Sequence, residues 1–219
     1  MKGGRIAVLC PTRDRPADLD RLIKSVLLTA EAADILVYVD DDQMEVYPKL
    51  FAPECDKRVR YLTGPRVGPA ASANALVRQF TEYDIYGLIT DDAIVTTPHW
   101  DEWALDATDI FPNRICVISP FHNQGNHVDM PFVTRSWIDV TGWYACPDLY
   151  HYCWPILTGL IGEMSAIIHA PRHAFGIFHP PKTEMVSETT LLNDKAAFFD
   201  FVALKLPATV EMVREAMKA

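Results

Sequence analysis

Short apolar runs alternate with amphipathic or small-residue stretches along the first 120 positions of the chain. The runs lie at 5–10, 34–40, 58–62, 83–89 and 115–119, and each is followed within three residues by proline, glycine or aspartate. The stretch between the first two runs places apolar residues on one helical face: Leu19, Leu22, Ile23, Val26 and Leu27. This pattern predicts buried strands joined by helices, which is typical of a mostly parallel α/β sheet with helices on both faces.

Proline and threonine mark where several of the helices should start. Pro16 suits the first turn of one helix, and Thr97 followed by Pro98 suits the cap and first position of another. The remaining pattern predicts a short helix near 45–51, a helix over 70–75, a polar loop over 121–130, a helix over 136–141, a last strand over 174–178 and terminal helices over 187–206 and 207–218. The second half is therefore expected to be less regular than the first.

Length and charge narrow the functional classes. The 219 residues, of which 49% are hydrophobic, are enough for one large core, so we expect a single domain over 1–219. The formal net charge of −9 argues against broad attachment to nucleic acid. Residues 1–80 hold 12 Lys and Arg against 11 Asp and Glu, while the rest hold 8 against 18. A small phosphorylated ligand is therefore easier to place on the first half.

The cysteines and the N-terminus indicate a cytoplasmic protein. None of the five cysteines forms a C-x-x-C pair, which suits reduced thiols, and the first residues do not resemble a secretory leader. The apolar region 152–170 is interrupted by Pro155 and Glu163, so we expect core or pocket wall there and no membrane span. A zinc site from Cys146, His151 and Cys153 is an alternative whose spacing matches no standard zinc pattern.

Two adjacent carboxylates, Asp91 and Asp92, stand where the apolar run 83–89 stops. Crowded carboxylates repel one another unless a cation neutralises them, and hard oxygen ligands suit Mg²⁺ or Mn²⁺ carrying substrate phosphates. The alternative is a strand-to-helix turn in which one aspartate only accepts hydrogen bonds from nearby backbone N–H groups. Because ligands of parallel sheets bind beyond the C-terminal strand ends, the pair is expected to face the ends of the first two strands.

The strand ends together resemble a known family. In chain order they read Ile6-Ala-Val-Leu-Cys-Pro-Thr-Arg-Asp-Arg-Pro16, Val37-Tyr-Val-Asp-Asp-Asp42, Arg66 with Gly68 and Asn74, and Thr90-Asp-Asp-Ala93. This order over the first hundred residues resembles the nucleotide-binding half of GT-A-type, family-2-like inverting glycosyltransferases. The resemblance implies a Rossmann-type GT-A-like fold, with a nucleotide-sugar-binding half at 1–112 and an acceptor-side half at 113–219. It also implies Mn²⁺ or Mg²⁺ and a nucleotide-diphosphate sugar donor, with a UDP-sugar favoured.

The same resemblance assigns roles to individual residues. Residues expected to contact the nucleotide or the sugar are Pro11, Thr12, Arg13, Arg15, Asp40, Asp41, Arg66, Asn74 and Asp91. The metal ligands are expected to be Asp92 with Asp91, completed by His179 near the C-terminus. The pair departs from a full D-x-D motif, because Thr90 precedes the two aspartates and Ala93 follows them. Which aspartate binds the metal and which binds the sugar or ribose therefore stays open.

Inverting transfer also needs a carboxylate base that takes the proton of the acceptor hydroxyl. The family places it in an acidic motif before the last strand, and this sequence has no clear Glu-Asp pair there. Asp148 is the first candidate and Glu163 the second, while His151 could substitute. The surrounding aromatic residues are either a platform for a sugar or a base, or part of the core: Trp137, Trp143, Tyr144, Tyr150, Tyr152 and Trp154.

Two other functional classes remain open at this point. An aspartate-based phosphohydrolase would also use a double aspartate with Mg²⁺, but such enzymes usually carry an aspartate nucleophile at the end of the first strand, where this chain has Cys10-Pro-Thr12. A non-catalytic nucleotide-sugar-binding protein would account for the missing Glu-Asp pair. The acceptor is equally open between a glycan, a small molecule and a hydroxymethylated DNA base, although the acidic second half counts against DNA.

Overall fold

A computed structural model describes residues 4–122, 128–151, 153–169, 175–180 and 187–219. Its strands, in chain order, are β1 Ile6–Thr12, β2 Ala33–Asp40, β3 Val59–Gly64, β4 Ile85–Leu88, β5 Ile94–Val95, β6 Val117–Ile118, β7 Phe121–His122, β8 Phe132–Thr134, β9 Ile168–His169 and β10 Gly176–Phe178. Its α-helices are α1 Pro16–Thr29, α2 Pro69–Gln79, α3 Trp100–Thr108, α4 Arg135–Thr141, α5 Cys153–Met164, α6 Glu188–Leu204 and α7 Leu206–Lys218. No helix in these ranges is both long and apolar enough to cross a membrane.

The central sheet has seven strands in the order β3-β2-β1-β4-β8-β6-β9. The first four run parallel, β8 is antiparallel to both of its neighbours, and β6 and β9 pair in parallel. The prediction of a mostly parallel α/β sheet is therefore confirmed. The C-terminal ends of β1, β2 and β4 lie along one edge, which is where ligands of such sheets bind.

Helices cover both faces of the sheet, as the buried residues of β1 illustrate. Ala7 and Leu9 pack into a core cluster with α2, α4, α5 and α7, whereas Ile6, Val8 and Cys10 pack into a second cluster with α1 and α3. Because alternate residues of a strand point to opposite faces, a strand buried on both faces must be apolar throughout. This is the reason for the continuous apolar runs in the sequence.

Several predicted boundaries were wrong for identifiable reasons. β1 continues through Pro11 to Thr12, because β4 pairs with β1 only as far as Leu9 and proline is tolerated where one neighbour is missing. α3 starts at Trp100 and not at Pro98, since the Thr97 hydroxyl accepts a hydrogen bond from the Gly176 N–H at 2.9 Å instead of capping the helix.

The structure differs from the sequence-based elements in other places as well. The short helix near 45–51 is a pair of 3₁₀ helices, Asp41–Val46 and Pro48–Leu50. The predicted strands at 83–89 and 115–119 are the shorter β4 and β6. Position 174 of the predicted last strand and positions 123–127 of the polar loop lie outside the described residues.

A second sheet of three short strands, in the order β5-β10-β7, is not foreshadowed by the sequence. β5 and β10 are antiparallel, with Ile94 opposite Phe178. Ile94 lies two positions after Asp92, and Phe178 directly precedes His179. This pairing therefore fixes the aspartates and the histidine relative to one another through the backbone.

Asp101 connects α3 to the turn between α1 and β2, and this contact gives a stability prediction. Its carboxylate is 1% exposed, and Oδ2 accepts the backbone N–H groups of Glu31 at 2.8 Å and Ala32 at 2.7 Å. Asp101→Asn would place an amide donor at the buried Oδ1 position, which has no hydrogen-bond partner among the described residues. We expect the free energy of unfolding, measured in urea, to fall by about 2 kcal/mol. An unchanged value would contradict this assignment.

Candidate functional site

A cavity of about 390 Å³ opens at the C-terminal ends of β1 and β2. Five residues predicted to bind the nucleotide line it: Pro11, Thr12, Arg13, Asp40 and Arg66. The strand ends and the turn before α2 bring these side chains together although they are spread over more than 50 positions of the chain. The cavity has two arginines and one buried carboxylate, a combination that suits a phosphorylated ligand with a hydrogen-bonding base.

A chain of hydrogen bonds leads from this cavity to the aspartate pair. The Thr12 hydroxyl donates to Oδ2 of Asp91 at 2.7 Å and lies 2.9 Å from the Tyr47 hydroxyl. Thr12 has a single hydroxyl hydrogen, so Tyr47 must donate to Thr12, and the Tyr47 oxygen in turn accepts the Arg15 N–H at 3.1 Å. Thr12 thus belongs both to the cavity wall and to the carboxylate site.

The two aspartates have opposite electrostatic environments. Burial raises the pKa of Asp91 to about 6, against the hydrogen bond from Thr12 and the charge of Arg15, with the Asp92 charge adding to the rise. Burial would also raise the pKa of Asp92, but the neighbouring His179 and the charge of Arg15 together lower it well below its usual range. Asp92 is the carboxylate that is ionised throughout the neutral range.

Arg15 and His179 contact the pair from different sides. Nη1 of Arg15 lies 3.3 Å from Oδ2 of Asp92 and 3.5 Å from Oδ1 of Asp91. Nε2 of His179, a fully buried side chain, lies 3.1 Å from Oδ1 of Asp92. The structure therefore brings together Asp91, Asp92 and His179, the three residues predicted to hold the metal, with Arg15 beside them.

The donor atoms at Asp92 fit a divalent cation. Oδ1 of Asp92 is buried and accepts no well-aligned hydrogen bond from the described residues, although the His179 imidazole is close. A carboxylate oxygen beside an imidazole nitrogen suits Mn²⁺ or Mg²⁺. Asp91 instead directs Oδ2 to Thr12, and no three His, Cys, Asp or Glu side chains in the described part of the chain form a ready-made cage. Such a cation would depend on substrate phosphates and water for its remaining ligands.

Arg13 holds the acidic turn after β2. Its guanidinium donates to Asp40 at 2.8 Å and to both oxygens of Asp42 at 2.7 Å. The hydrogen bond from Arg13 lowers the pKa of Asp42. Asp40 is 7% exposed and lines the cavity, whereas Asp41 is exposed and does not line it. Of the two carboxylates predicted to contact the base or ribose, Asp40 is the one at the cavity.

Asn74, predicted to bind the nucleotide, is engaged in holding the second half of the protein to α2. Its side-chain nitrogen donates to the Ala145 carbonyl at 2.7 Å, and its oxygen accepts the N–H groups of Tyr144 at 3.0 Å and Ala145 at 3.1 Å. The side chain lines a separate groove of about 290 Å³. The hydrogen bonds of the Asn74 amide therefore hold α2 to the backbone at 144–145.

The two candidates for the catalytic base lie away from the cavity. Asp148 is exposed, forms an ion pair with Lys205 at 2.6 Å and lines the same groove as Asn74. Glu163 is an exposed residue near the end of α5. His151, named as a substitute, does line the cavity. The structure thus brings neither carboxylate to the residues around Thr12.

The aromatic residues of the second half divide between core and cavity. Trp137, Tyr144 and Trp154 are 0–1% exposed and belong to the core. Trp143 packs against Trp137 at a ring separation of 6.0 Å, and Tyr152 lies outside the described residues. Tyr150 is 46% exposed and lines the cavity. For most of these residues the core interpretation is the one that the structure supports.

Other cavity residues were not found by sequence reasoning. They are Tyr38, Pro69, Ser72, Ser187 and Thr190, while Tyr47 lies outside the cavity lining and contacts the Thr12 hydroxyl. Nothing in the local sequence marks these residues as part of a site. Tyr38 and Tyr47 have the pattern of core residues, and Ser187 has that of a helix cap. Only the tertiary structure brings the start of α6 to the strand ends.

Comparison with known proteins gives matches at the level of structure alone. No protein-family model and no curated protein matches this sequence. The structure of TarS from S. aureus matches with a TM-score of 0.62 at 12% identity, covering 97% of this chain and 43% of TarS. TarS 1–349 in complex with UDP-GlcNAc matches with a TM-score of 0.63 at 11% identity, covering 97% and 71%.

A third match is a mannosyltransferase structure. The mannosyltransferase PcManGT from Pyrobaculum calidifontis, in complex with GDP-Man and Mn²⁺, matches with a TM-score of 0.60 at 12% identity, covering 97% of this chain and 73% of that one. This chain spans less than half the length of the chain in the first TarS structure. The resemblance seen in the strand-end motifs is thus confirmed in three dimensions: the chain has the GT-A-type fold of nucleotide-sugar glycosyltransferases.

Proposed function

We propose that this protein is a metal-dependent glycosyltransferase that moves a sugar from a nucleotide-diphosphate sugar to an acceptor hydroxyl. The observation that carries the proposal is the position of Thr12. Its side chain lines a cavity with two arginines and also donates a hydrogen bond to Asp91, next to Asp92 and His179. A nucleotide in the cavity would therefore extend its diphosphate towards the carboxylate pair.

The cavity suits the nucleoside and the first phosphate. Asp40 can accept a hydrogen bond from the base or ribose, and Arg13 and Arg66 provide positive charge. UDP is the favoured nucleotide, and GDP is the alternative because the matching structures contain UDP-GlcNAc in one case and GDP-Man in another. Asp91 would then lie near the ribose or the sugar.

A divalent cation would be held by Asp92 and His179. When bound, it would neutralise the negative charge that grows on the departing diphosphate. Arg15 supports the same site by offsetting the charge of both aspartates. The pKa of Asp92 lies well below its usual range, so at neutral pH no proton has to leave this carboxylate when a cation binds.

In the proposed inverting reaction, the acceptor oxygen forms a bond to the anomeric carbon while the bond from that carbon to the diphosphate oxygen breaks. The acceptor proton passes to a base, and of the candidates Asp148, Glu163 and His151 only His151 lines the cavity. The leaving nucleoside diphosphate keeps the electron pair of the broken bond. Arg13, Arg15 and Arg66 are the cations of this chain placed to stabilise it.

A non-catalytic nucleotide-sugar-binding protein is the second candidate. The specific observation in its favour is that neither Asp148 nor Glu163 lines the cavity. A phosphohydrolase gains no such support, because β1 ends in Pro11-Thr12 without an aspartate, and Cys10 is buried within the strand, which raises its thiol pKa well above the usual value. A buried neutral thiol is a poor nucleophile.

Calorimetric titration tests the proposal directly. UDP and GDP are titrated with and without Mn²⁺, followed by incubation with UDP-GlcNAc, UDP-glucose and GDP-mannose and a chromatographic assay for released nucleotide. We expect Mn²⁺-dependent binding of at least one nucleotide and slow release of UDP or GDP from the matching sugar. Binding without any release across a panel of acceptors would favour the binding protein. Absence of binding, or phosphate release from a phosphomonoester, would refute the proposal.

A further inference from the structure

Part of the nucleotide cavity is built by the second half of the chain. Tyr150 and His151 line it from the loop before α5, and Ser187 and Thr190 line it from the start of α6. The family resemblance places nucleotide binding in residues 1–112, so these contributions need a separate explanation. They place an exposed aromatic ring opposite the strand ends that carry Asp40.

Tyr150 is the more exposed of the two tyrosines that line the cavity. It is 46% exposed, whereas Tyr38 is 4% exposed. Its ring lies directly against Gly68, where an added Cβ would approach the ring to 2.5 Å. Gly68 also has a φ of +83°, a left-handed conformation that glycine adopts without strain. The glycine therefore allows the ring to lie against the turn before α2.

A buried carboxylate on α6 holds the backbone of this loop. Asp194 is 2% exposed, and its two oxygens accept the backbone N–H groups of Tyr150 at 2.8 Å and His151 at 2.7 Å. The Tyr150 carbonyl accepts the Ala70 N–H at 3.4 Å from the first turn of α2. The loop is thus fixed between α6 on one side and α2 on the other.

We propose that the nucleotide base packs against the ring of Tyr150 and that Asp194 is the positioning residue for this wall of the pocket. The inference rests on the proposed function and extends it to the second half of the chain. Every base presents an apolar face, so stacking adds affinity for any nucleotide. Discrimination between bases is left to hydrogen-bonding groups such as Asp40.

Tyr150→Ala tests the stacking contact, with Tyr61→Ala as the matched control. Tyr61 is 44% exposed but lies on β3 outside the cavity. UDP and inorganic pyrophosphate, which lacks a base, are titrated in the presence of Mn²⁺. We expect Tyr150→Ala to weaken UDP binding by about 10-fold while pyrophosphate binding stays unchanged. Tyr150→Phe should bind UDP as the unaltered protein does, and so should Tyr61→Ala.

Asp194→Asn tests the positioning role, with Asp101→Asn as its control. Both aspartates are buried and accept two consecutive backbone N–H groups, but Asp101 lies on α3 and accepts those of the turn before β2. Both variants should lose thermal stability. Only Asp194→Asn should raise the KM for the donor, with kcat retained, because it displaces the Tyr150 ring without touching the carboxylate pair.

The outcomes separate this inference from the proposed function. If the unaltered protein binds UDP and Tyr150→Ala binds it equally well, the inference is overturned and the proposed function stands. Equal losses for UDP and pyrophosphate would also overturn the inference, since the effect would then not depend on the base. If the unaltered protein binds neither ligand, both the proposed function and the inference fail.

Discussion

Asp92→Asn is expected to lower the rate of sugar transfer by about 1000-fold, which corresponds to the several kcal/mol of transition-state stabilisation that a bound cation supplies. The amide is nearly the same size but lacks the charge that attracts a divalent cation. Asp92 is also the carboxylate of the pair whose pKa is lowered well below its usual range. The measurement is nucleotide release from the best donor at several Mn²⁺ concentrations.

The control for this variant removes a charge elsewhere. Asp139→Asn on α4 breaks an exposed ion pair with Arg135 and should leave both rate and nucleotide binding unchanged. UDP titration without Mn²⁺ should give the same affinity for Asp92→Asn as for the unaltered protein. If Asp92→Asn retains full activity at low Mn²⁺, the carboxylate pair does not hold the cation.

Gly87→Ala is expected to be the most destabilising single methyl addition in the sheet. Gly87 on β4 pairs with Phe132 on β8, and the Phe132 ring lies across the glycine so closely that an added Cβ would overlap it. The ring cannot move aside, because it packs edge-on against Trp100 at 5.6 Å and Phe175 at 5.0 Å. We expect a loss of about 3 kcal/mol, which lowers Tm by about 6–12 °C for a chain of this size.

A double-mutant cycle in urea measures this overlap. Phe132→Leu alone should destabilise the protein by removing buried ring area, and adding Gly87→Ala to it should cost much less than adding Gly87→Ala to the unaltered chain. The double variant should therefore lose less stability than the sum of the losses of the two single variants. Strictly additive effects would show that the overlap with Phe132 is not the source of the loss.

The first half of the molecule was predictable because its local and tertiary requirements agree. A strand buried on both faces must be apolar, so the runs that became β1, β2 and β4 stand out in the sequence. The candidate site residues at parallel strand ends, such as Thr12, Asp40 and Asp91, also come directly at or after the apolar runs in the sequence. The sequence alone was therefore sufficient to place them on one edge of the sheet.

The second half was less predictable because its contacts join distant, short elements. β5, β7 and β10 contain two or three residues each, too few to display any period. The role of Asp194 depends on two backbone N–H groups 43 and 44 positions away, which no local pattern reveals. Conversely, Asn74 matched a motif position, yet its amide is occupied by the backbone at 144–145.

The pairing of β5 with β10 makes the carboxylate site depend on a contact between residues far apart in the chain. Ile94 and Phe178 are 84 positions apart, so bringing their strands together costs more chain entropy than closing a local contact. The imidazole of His179 lies next to Asp92 in the paired arrangement. We therefore expect capture of Mn²⁺ during refolding to report the closure of this pairing.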